Sequence, residues 1–452
     1  MSQKLFGTDG VRGVANLEPI TSETALRLGR ALAYVFKNDS RRHRRILIGK
    51  DTRLSGYMLE TALASGVCSM GADVWLVGPF PTPGIAFLTR SMRADAGVVI
   101  SASHNPYADN GIKFFSREGF KLDDATEAQI EALVFDDAAL TSSRASGADI
   151  GKAARIDDAI GRYLVFLKTC VPRTVSFEGL KVVVDCANGA AYRVAPEVLE
   201  ELGAEVIAIG NEPNGVNIND GCGATHLDLL RKAVMLAGAH VGVGLDGDGD
   251  RAILVDERGD VFDGDDVLAL LGSRMALEGR LHSNTVVGTV MSNYGLESAL
   301  SKHNVRLVRT DVGDPAVVRE MRSNDYNLGG EQSGHVIFMD HSTTGDGLIT
   351  ALLVLSQMIQ QQKPLSKLRM VKRVPQLLEN VVVRERVPLD ELTEVQKAIA
   401  SAENELAGCG RLLVRYSGTE MLARVMVEGE EPTQVKSIAL TIAGKIRDVI
   451  GA

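Results

Sequence analysis

Three aspartates fall within five residues in Asp246-Gly-Asp-Gly-Asp-Arg251. Carboxylates so close repel one another by roughly 3 kcal/mol per pair at an effective dielectric of about 20, and a bound cation removes that penalty. The intervening glycines let the backbone curl until the oxygens of Asp246, Asp248 and Asp250 face one point, and an all-oxygen set selects a hard ion such as Mg²⁺, Mn²⁺ or Ca²⁺. A solvated acidic turn is the plainer alternative. A calcium loop of EF-hand type fails at its sixth position, where the sharp turn needs glycine and this chain has Arg251, although Glu257 stands at the twelfth. The preceding Val-Gly-Val-Gly-Leu reads as strand rather than helix. A metal site follows, with positions left for water or a phosphate oxygen.

A second group, Ser101-Ala-Ser103-His104-Asn105-Pro106, follows an apolar run. Pro106 fixes the exit of a tight loop that presents serine and histidine together. Alone, these six residues are equally a turn of hydrogen-bonding side chains, and no Gly-x-Ser-x-Gly elbow points to a hydrolase. Beside a three-carboxylate loop, phosphoryl transfer through Ser103 is the coherent chemistry. It requires a metal ion and guanidinium or ammonium groups on the equatorial oxygens, and Arg12, Lys113, Arg251 and Arg415 lie in loops. Arg415-x-Ser417-Gly418-Thr419 reads as an anion nest, where glycine lets backbone N–H groups, a guanidinium and two hydroxyls surround a phosphate. Gly330-Glu331-Gln332-Ser333-Gly334-His335 pairs a carboxylate with a histidine, suited to sugar hydroxyls and proton exchange; taken alone it is an ordinary turn. His226, His240, His282, His303 and His341 have no such setting.

The elements that must position these loops repeat along the chain. Ile46–Asp51, Gly71–Gly78 and Ala96–Asn105 form one series of strand-like runs; Lys181–Gly189, Gly203–Gly210 and His240–Arg251 form a second. Thr285–Asn293, Asn304–Asp314 and Tyr326–His335 form a third. Their runs are continuously apolar rather than alternating, which predicts strands covered on both faces, and ligand loops on such sheets lie at the carboxyl ends of strands. The expected fold class is α/β: three tandem α/β domains with mixed sheets related by an internal repeat, at 1–155, 156–255 and 256–370, around one central cleft. Residues 371–452 break the repeat and are expected to form a C-terminal α+β domain.

Composition agrees with an enzyme of several domains. The chain has 452 residues, 45% apolar and 24% charged, and carries a formal net charge of -9, which repels nucleic acid and anionic membrane surfaces. The basic run Arg41–Arg45 reads as a solvated helix end or linker. Five separated cysteines without a Cys-x-x-Cys pair fit reduced thiols in the cytoplasm, and neither an export signal nor a membrane span is expected.

In order and spacing, Phe6-Gly-Thr-Asp-Gly-Val-Arg-Gly13, SASHNP with Asn110-Gly-Ile-Lys113, DGDGDR, GEQSGH and RYSGTE resemble the α-D-phosphohexomutase family over nearly the whole chain. The resemblance implies that Ser103 is phosphorylated and that its phosphate and the three aspartates hold Mg²⁺. It further implies that Arg12, His104, Lys113, Arg251 and His335 assist phosphoryl and proton transfer, and that Glu331 and Ser333 hold sugar hydroxyls. The distal phosphate falls to Arg415, Ser417, Gly418, Thr419 and Arg424. GEQSGH, Ser101 and Gly418 point within the family to interconversion of glucosamine 6-phosphate and glucosamine 1-phosphate, with glucose or mannose phosphates as the rival substrates. A bisphosphorylated hexosamine or hexose is then intermediate and activator, the partner is a small sugar phosphate, and a homodimer is left open. Met421 departs from the family's usual proline and is expected to loosen the turn after the nest.

Overall fold

A computed structural model describes residues 4–7, 9–38, 44–417 and 420–452. The basic run's Arg41, Arg42 and His43, and the nest residues Gly418 and Thr419, lie outside the described residues.

The three expected series are three sheets built on one plan. In the first, Arg44–Lys50 is the central strand, flanked in parallel by Ala72–Pro79 and Ala96–Ile100, and Asp109–Ser116 pairs antiparallel with Ala96–Ile100. In the second, Lys181–Asp185 lies between parallel Glu205–Ile209 and Val241–Leu245, and Ala252–Asp256 returns antiparallel beside Val241–Leu245. In the third, Thr285–Thr289 lies between parallel Arg306–Thr310 and Leu328–Gly330, and Val336–Phe338 returns antiparallel beside Leu328–Gly330. Edge additions make the first two sheets six- and five-stranded, and the third keeps the four strands of the plan. Central strands such as Ala96–Ile100 and Val241–Leu245 are buried along their whole length, as continuous apolar runs predict.

The returning strand decides where the chemistry sits. Each polar loop is the tip of the hairpin between the third strand of its unit and the antiparallel strand that follows. The three loops therefore occupy equivalent places in three related sheets. Val11–Val14 adds to the first sheet antiparallel to Asp109–Ser116, with Arg12 opposite Gly111, which brings Arg12 beside the serine loop. Gly10, at φ 78°, lies where a side chain would run into the Ile112 backbone.

The C-terminal segment is a separate three-stranded antiparallel sheet, Gln376–Val382, Leu422–Gly429 and Gly410–Tyr416, covered by Thr393–Leu406 and Pro432–Ile450. It has its own core, including Val395, Leu406, Val425, Val427, Ile442 and Ile446. Among the described residues, no helix is long and apolar enough to cross a membrane.

Candidate active site

The Ser103 loop is built by side chains from far along the chain. Ser101 Oγ donates to Asp51 Oδ2 at 2.6 Å and accepts from Ser103 N at 2.9 Å, so Ser101 shapes the loop that presents its neighbour. Ser103 has φ 51°, a left-handed conformation rare for a residue with a side chain, and it must be held there by its surroundings. Arg53 does much of this. Its guanidinium, 0% exposed, donates to the carbonyls of Ser103 and Asn105 at 2.9 and 2.8 Å, of Asp109 at 2.9 Å and of Pro106. Asp51 Oδ2 accepts from Arg53 Nε at 2.8 Å and balances the charge. From the second sheet's loops, Asn219 Nδ2 donates to the same Ser103 and Asn105 carbonyls at 2.9 and 3.1 Å.

These contacts carry the Ser103 hydroxyl to the metal loop. Ser103 Oγ donates to Asp246 Oδ2 at 2.6 Å and lies 3.3 Å from His104 Nδ1. Gly247 is required at the approach, since a Cβ there would stand 2.5 Å from the Ser103 carbonyl oxygen. Asp246, Asp248 and Asp250 are all buried, with candidate ligand atoms within 4.8 Å of one another. Asp248 Oδ2 accepts from Thr82 Oγ1 at 2.7 Å and Lys113 Nζ at 3.0 Å, whereas Asp248 Oδ1 and Asp250 Oδ1 are buried without a hydrogen-bond partner. Buried carboxylate oxygens left unsatisfied beside one another are what a hard cation would use. The residues present fit a metal ion.

Burial, then repulsion from Asp250 and Asp248, pushes Asp246 well above the usual carboxylate range. Burial also opposes ionisation of Asp250, but His335, Lys113 and Arg251 overcome it and hold this carboxyl below the usual range. Lys113, 2% exposed, would lose its charge to burial were it not for Asp248, Asp9 and Asp250, which raise it to about 12. His104 is pushed down by burial, then by Arg251 and Arg12, which favours the neutral imidazole beside Ser103.

The sugar-loop residues meet the same cluster. His335 Nδ1 lies 3.5 Å from Asp250 Oδ1, and its Nε2 lies 3.0 Å from Asp314 Oδ1. Burial disfavours the imidazolium, yet Asp314 and Asp250 raise His335 to about 10. Gly334 packs where a side chain would strike the Ala252 backbone, and Ala252 N donates to Gly334 O at 3.1 Å, so metal and sugar loops abut. Glu331 Oε1 accepts from Gly313 N at 2.9 Å, and Glu331 is partly exposed and Ser333 exposed. Arg251 Nε stands 3.8 Å from Asp250 Oδ1. Arg12 pairs with Asp9, which Lys113 and Lys121 also contact at 3.1 and 2.6 Å.

The C-terminal loop stands apart. Ser417 is buried and accepts from Glu420 N at 3.3 Å, while Arg424 Nη2 donates to Glu420 Oε2 at 3.0 Å. Arg415 is opposite Arg424 in the sheet. Among the described residues, no hydrogen bond or ion pair joins this loop to the other three. Met421 is 45% exposed, and its carbonyl accepts from Val383 N at 3.0 Å. Sequence reasoning brings Ser103, His104, Lys113, Arg12, Arg251, His335 and the aspartates to one place; it misses Asp51, Arg53, Thr82, Asn219, Lys121 and Asp314. Arg53 follows Asp51 by two residues just beyond the strand Arg44–Lys50, a pairing too common to mark a site.

Family models described as phosphoglucomutase/phosphomannomutase alpha/beta/alpha domains I, II and III match residues 3–140, 162–259 and 263–374, and that family's C-terminal domain matches 378–445. The phosphoglucosamine mutase of Anaeromyxobacter sp. (strain Fw109-5) is 59% identical over 455 residues, covering 100% of this chain and 97% of its own. That of Myxococcus xanthus (strain DK1622) is 57% identical, covering 98% and 96%. A phosphoglucomutase/phosphomannomutase family protein from Burkholderia thailandensis shares the fold, with TM-score 0.81 at 23% identity over 98% and 97% of the two chains. So does Aspergillus fumigatus N-acetylphosphoglucosamine mutase, solved with GlcNAc-6P and magnesium, with TM-score 0.65 at 18% identity over 98% and 96%.

Proposed function

Because this chain belongs to the phosphoglucomutase/phosphomannomutase family, we propose that it interconverts glucosamine 6-phosphate and glucosamine 1-phosphate through phosphorylated Ser103 and a bisphosphorylated sugar. The observation that carries the reading is the Ser103 hydroxyl held 2.6 Å from Asp246 inside a buried three-aspartate cluster. Relatives that are phosphoglucosamine mutases, 56–59% identical over the chain's length, support the choice of sugar.

In the forward step, the P–Oγ bond of phosphorylated Ser103 breaks as a bond from phosphorus to the free sugar hydroxyl forms. The hydroxyl's proton is passed on to Ser103 Oγ, which ends as a hydroxyl, and the neutral imidazole of His104, 3.3 Å from that oxygen, is placed to carry it. His335, held as imidazolium between Asp314 and Asp250, keeps positive charge at the sugar side of this exchange, with Glu331 on the same loop. Lys113, Arg12 and Arg251 neutralise the equatorial oxygens, and His104 lies against Ser103 Oγ. Asp246, Asp248 and Asp250 would hold Mg²⁺, which neutralises charge on the transferring group when bound. The bisphosphorylated sugar then turns, and its other phosphate reloads Ser103. A second phosphate position is therefore needed, and Arg415, Ser417, Gly418, Thr419 and Arg424 supply it, with Glu331 and Ser333 on the sugar hydroxyls. The product feeds UDP-N-acetylglucosamine and cell-wall precursors in the cytoplasm. Rates measured with glucosamine, glucose and mannose phosphates test the reading: glucosamine phosphate is expected to have the highest kcat/KM, and a preference for either other sugar overturns it.

A further inference from the structure

Three side chains outside the serine and metal loops complete a closed circuit of charge. Lys121 Nζ lies 2.7 Å from Asp314 Oδ2 and 2.6 Å from Asp9 Oδ1. Asp9 Oδ2 is 3.1 Å from Lys113 Nζ, which reaches Asp248 at 3.0 Å and Asp250 at 3.9 Å. From Asp250 the path returns through His335 to Asp314. Acid and base alternate around the whole ring, and it draws on all three repeated units.

The ring's geometry follows from the hairpins. Lys113 and Lys121 belong to one antiparallel turn, where Phe115 bridges Lys121 and Leu122 N donates to Phe114 O. Asp314 opens the helix Asp314–Asn324, whose free N–H groups favour a carboxylate. Its neighbour Gly313 is the donor to Glu331. Moving Asp314 therefore moves both sugar-side residues, and moving Asp9 moves Lys113 and Arg12. Among the described residues, Lys121 is the side chain that contacts both carboxylates. Part-buried ion pairs such as those of Lys121, itself 21% exposed, add little net stability, so stability alone is a poor reason for this lysine.

We propose that Lys121 is a positioning residue for phosphoryl transfer, which through Asp314 and Asp9 sets His335 and Lys113 in register on either side of the metal ligands. The inference rests on the mutase reading. Its test is steady-state kinetics on Lys121→Met, Asp314→Asn and the double variant, with thermal melts alongside. Lys121→Met is expected to lower kcat by about ten- to hundred-fold with KM raised no more than about three-fold, the usual scale for losing a group that orients a reacting one. The double variant is expected to be no worse than the poorer single, since both break one link. A kcat within about two-fold of wild type, a loss confined to KM, or multiplying losses in the double overturns the proposal. If Lys121→Met does not fold, Asp314→Asn, which conserves side-chain volume, is judged alone by the same split between kcat and KM. A wild-type protein without turnover of glucosamine phosphate would instead overturn the mutase reading itself.

Discussion

Arg53 shows how much of this site is made by one side chain that touches no substrate. A planar fork with several fixed donors can satisfy the carbonyls of Ser103, Asn105, Pro106 and Asp109 at once, and a lysine cannot. Arg53→Lys is therefore expected to lower kcat by about ten-fold or more with KM near wild type, and to cost ~1–3 kcal/mol in urea unfolding. An unchanged kcat would reduce the clamp to packing. The three aspartates were legible because they fall within five residues of one another, and Ser103 and His335 because each stands in a short polar loop that follows an apolar run. Arg53, Asn219, Lys121 and Asp314 were not, because each acts on atoms remote in sequence and has no local pattern of its own.

At the scale of elements, the apolar runs at Ile46, Val182 and Val286 already spelled buried strands, and the three polar loops stood at the end of the third run in each series. The returning antiparallel strands were missed, because runs such as Val336–Phe338 are too short to separate from a loop by periodicity. The helix Gly264–Leu277 raises a different question, since its first turn carries Asp265 and Asp266 beside the capping Asp263. Burial, then Asp263, raises Asp265 to about 7; its Oδ2 accepts from Asn293 N at 2.8 Å. A raised acid binds its proton more tightly in the folded chain, so its contribution is full below the unfolded value near 4 and is lost as pH rises through about 7. Asp266, raised to about 6 mainly by burial, acts with the same sign. Asp265→Asn is thus expected to shrink the drop in melting temperature between pH 5 and pH 8. Melting curves with the same drop in both proteins would remove Asp265 from the pH dependence.

Across the whole molecule, the C-terminal domain is mounted on the third sheet. Glu428, 0% exposed, accepts from Asn293 Nδ2, Tyr294 N and Arg411 Nε, and Arg411 Nη2 donates to the carbonyls of Val290 and Ser292 at 2.8 and 2.9 Å. Arg411 and Arg415 share one face of the strand Gly410–Tyr416, so the mount and the proposed phosphate loop lie about 13 Å apart on a single rigid element. That mount was not legible, since Asn293 and Glu428 stand far apart with no shared motif, although the domain itself was plain from the broken repeat. A phosphate held far from the reacting bond orients the sugar, so Arg415→Ala is expected to lower kcat as well as raise KM. Loss of a charge-assisted contact sets the scale at about one to two decades in kcat/KM. Unchanged kinetics in a folded variant would take the phosphate clamp away from this domain.

The central claim is the covalent role of Ser103, and intact-mass spectrometry with phosphopeptide mapping reads it directly. After incubation with glucose 1,6-bisphosphate and Mg²⁺, the account predicts one phosphoryl group on Ser103 of the wild-type protein, and none on a folded Ser103→Ala variant that also turns over no substrate. A phosphoryl group on Ser101 or elsewhere, or near-normal turnover by Ser103→Ala, would contradict it.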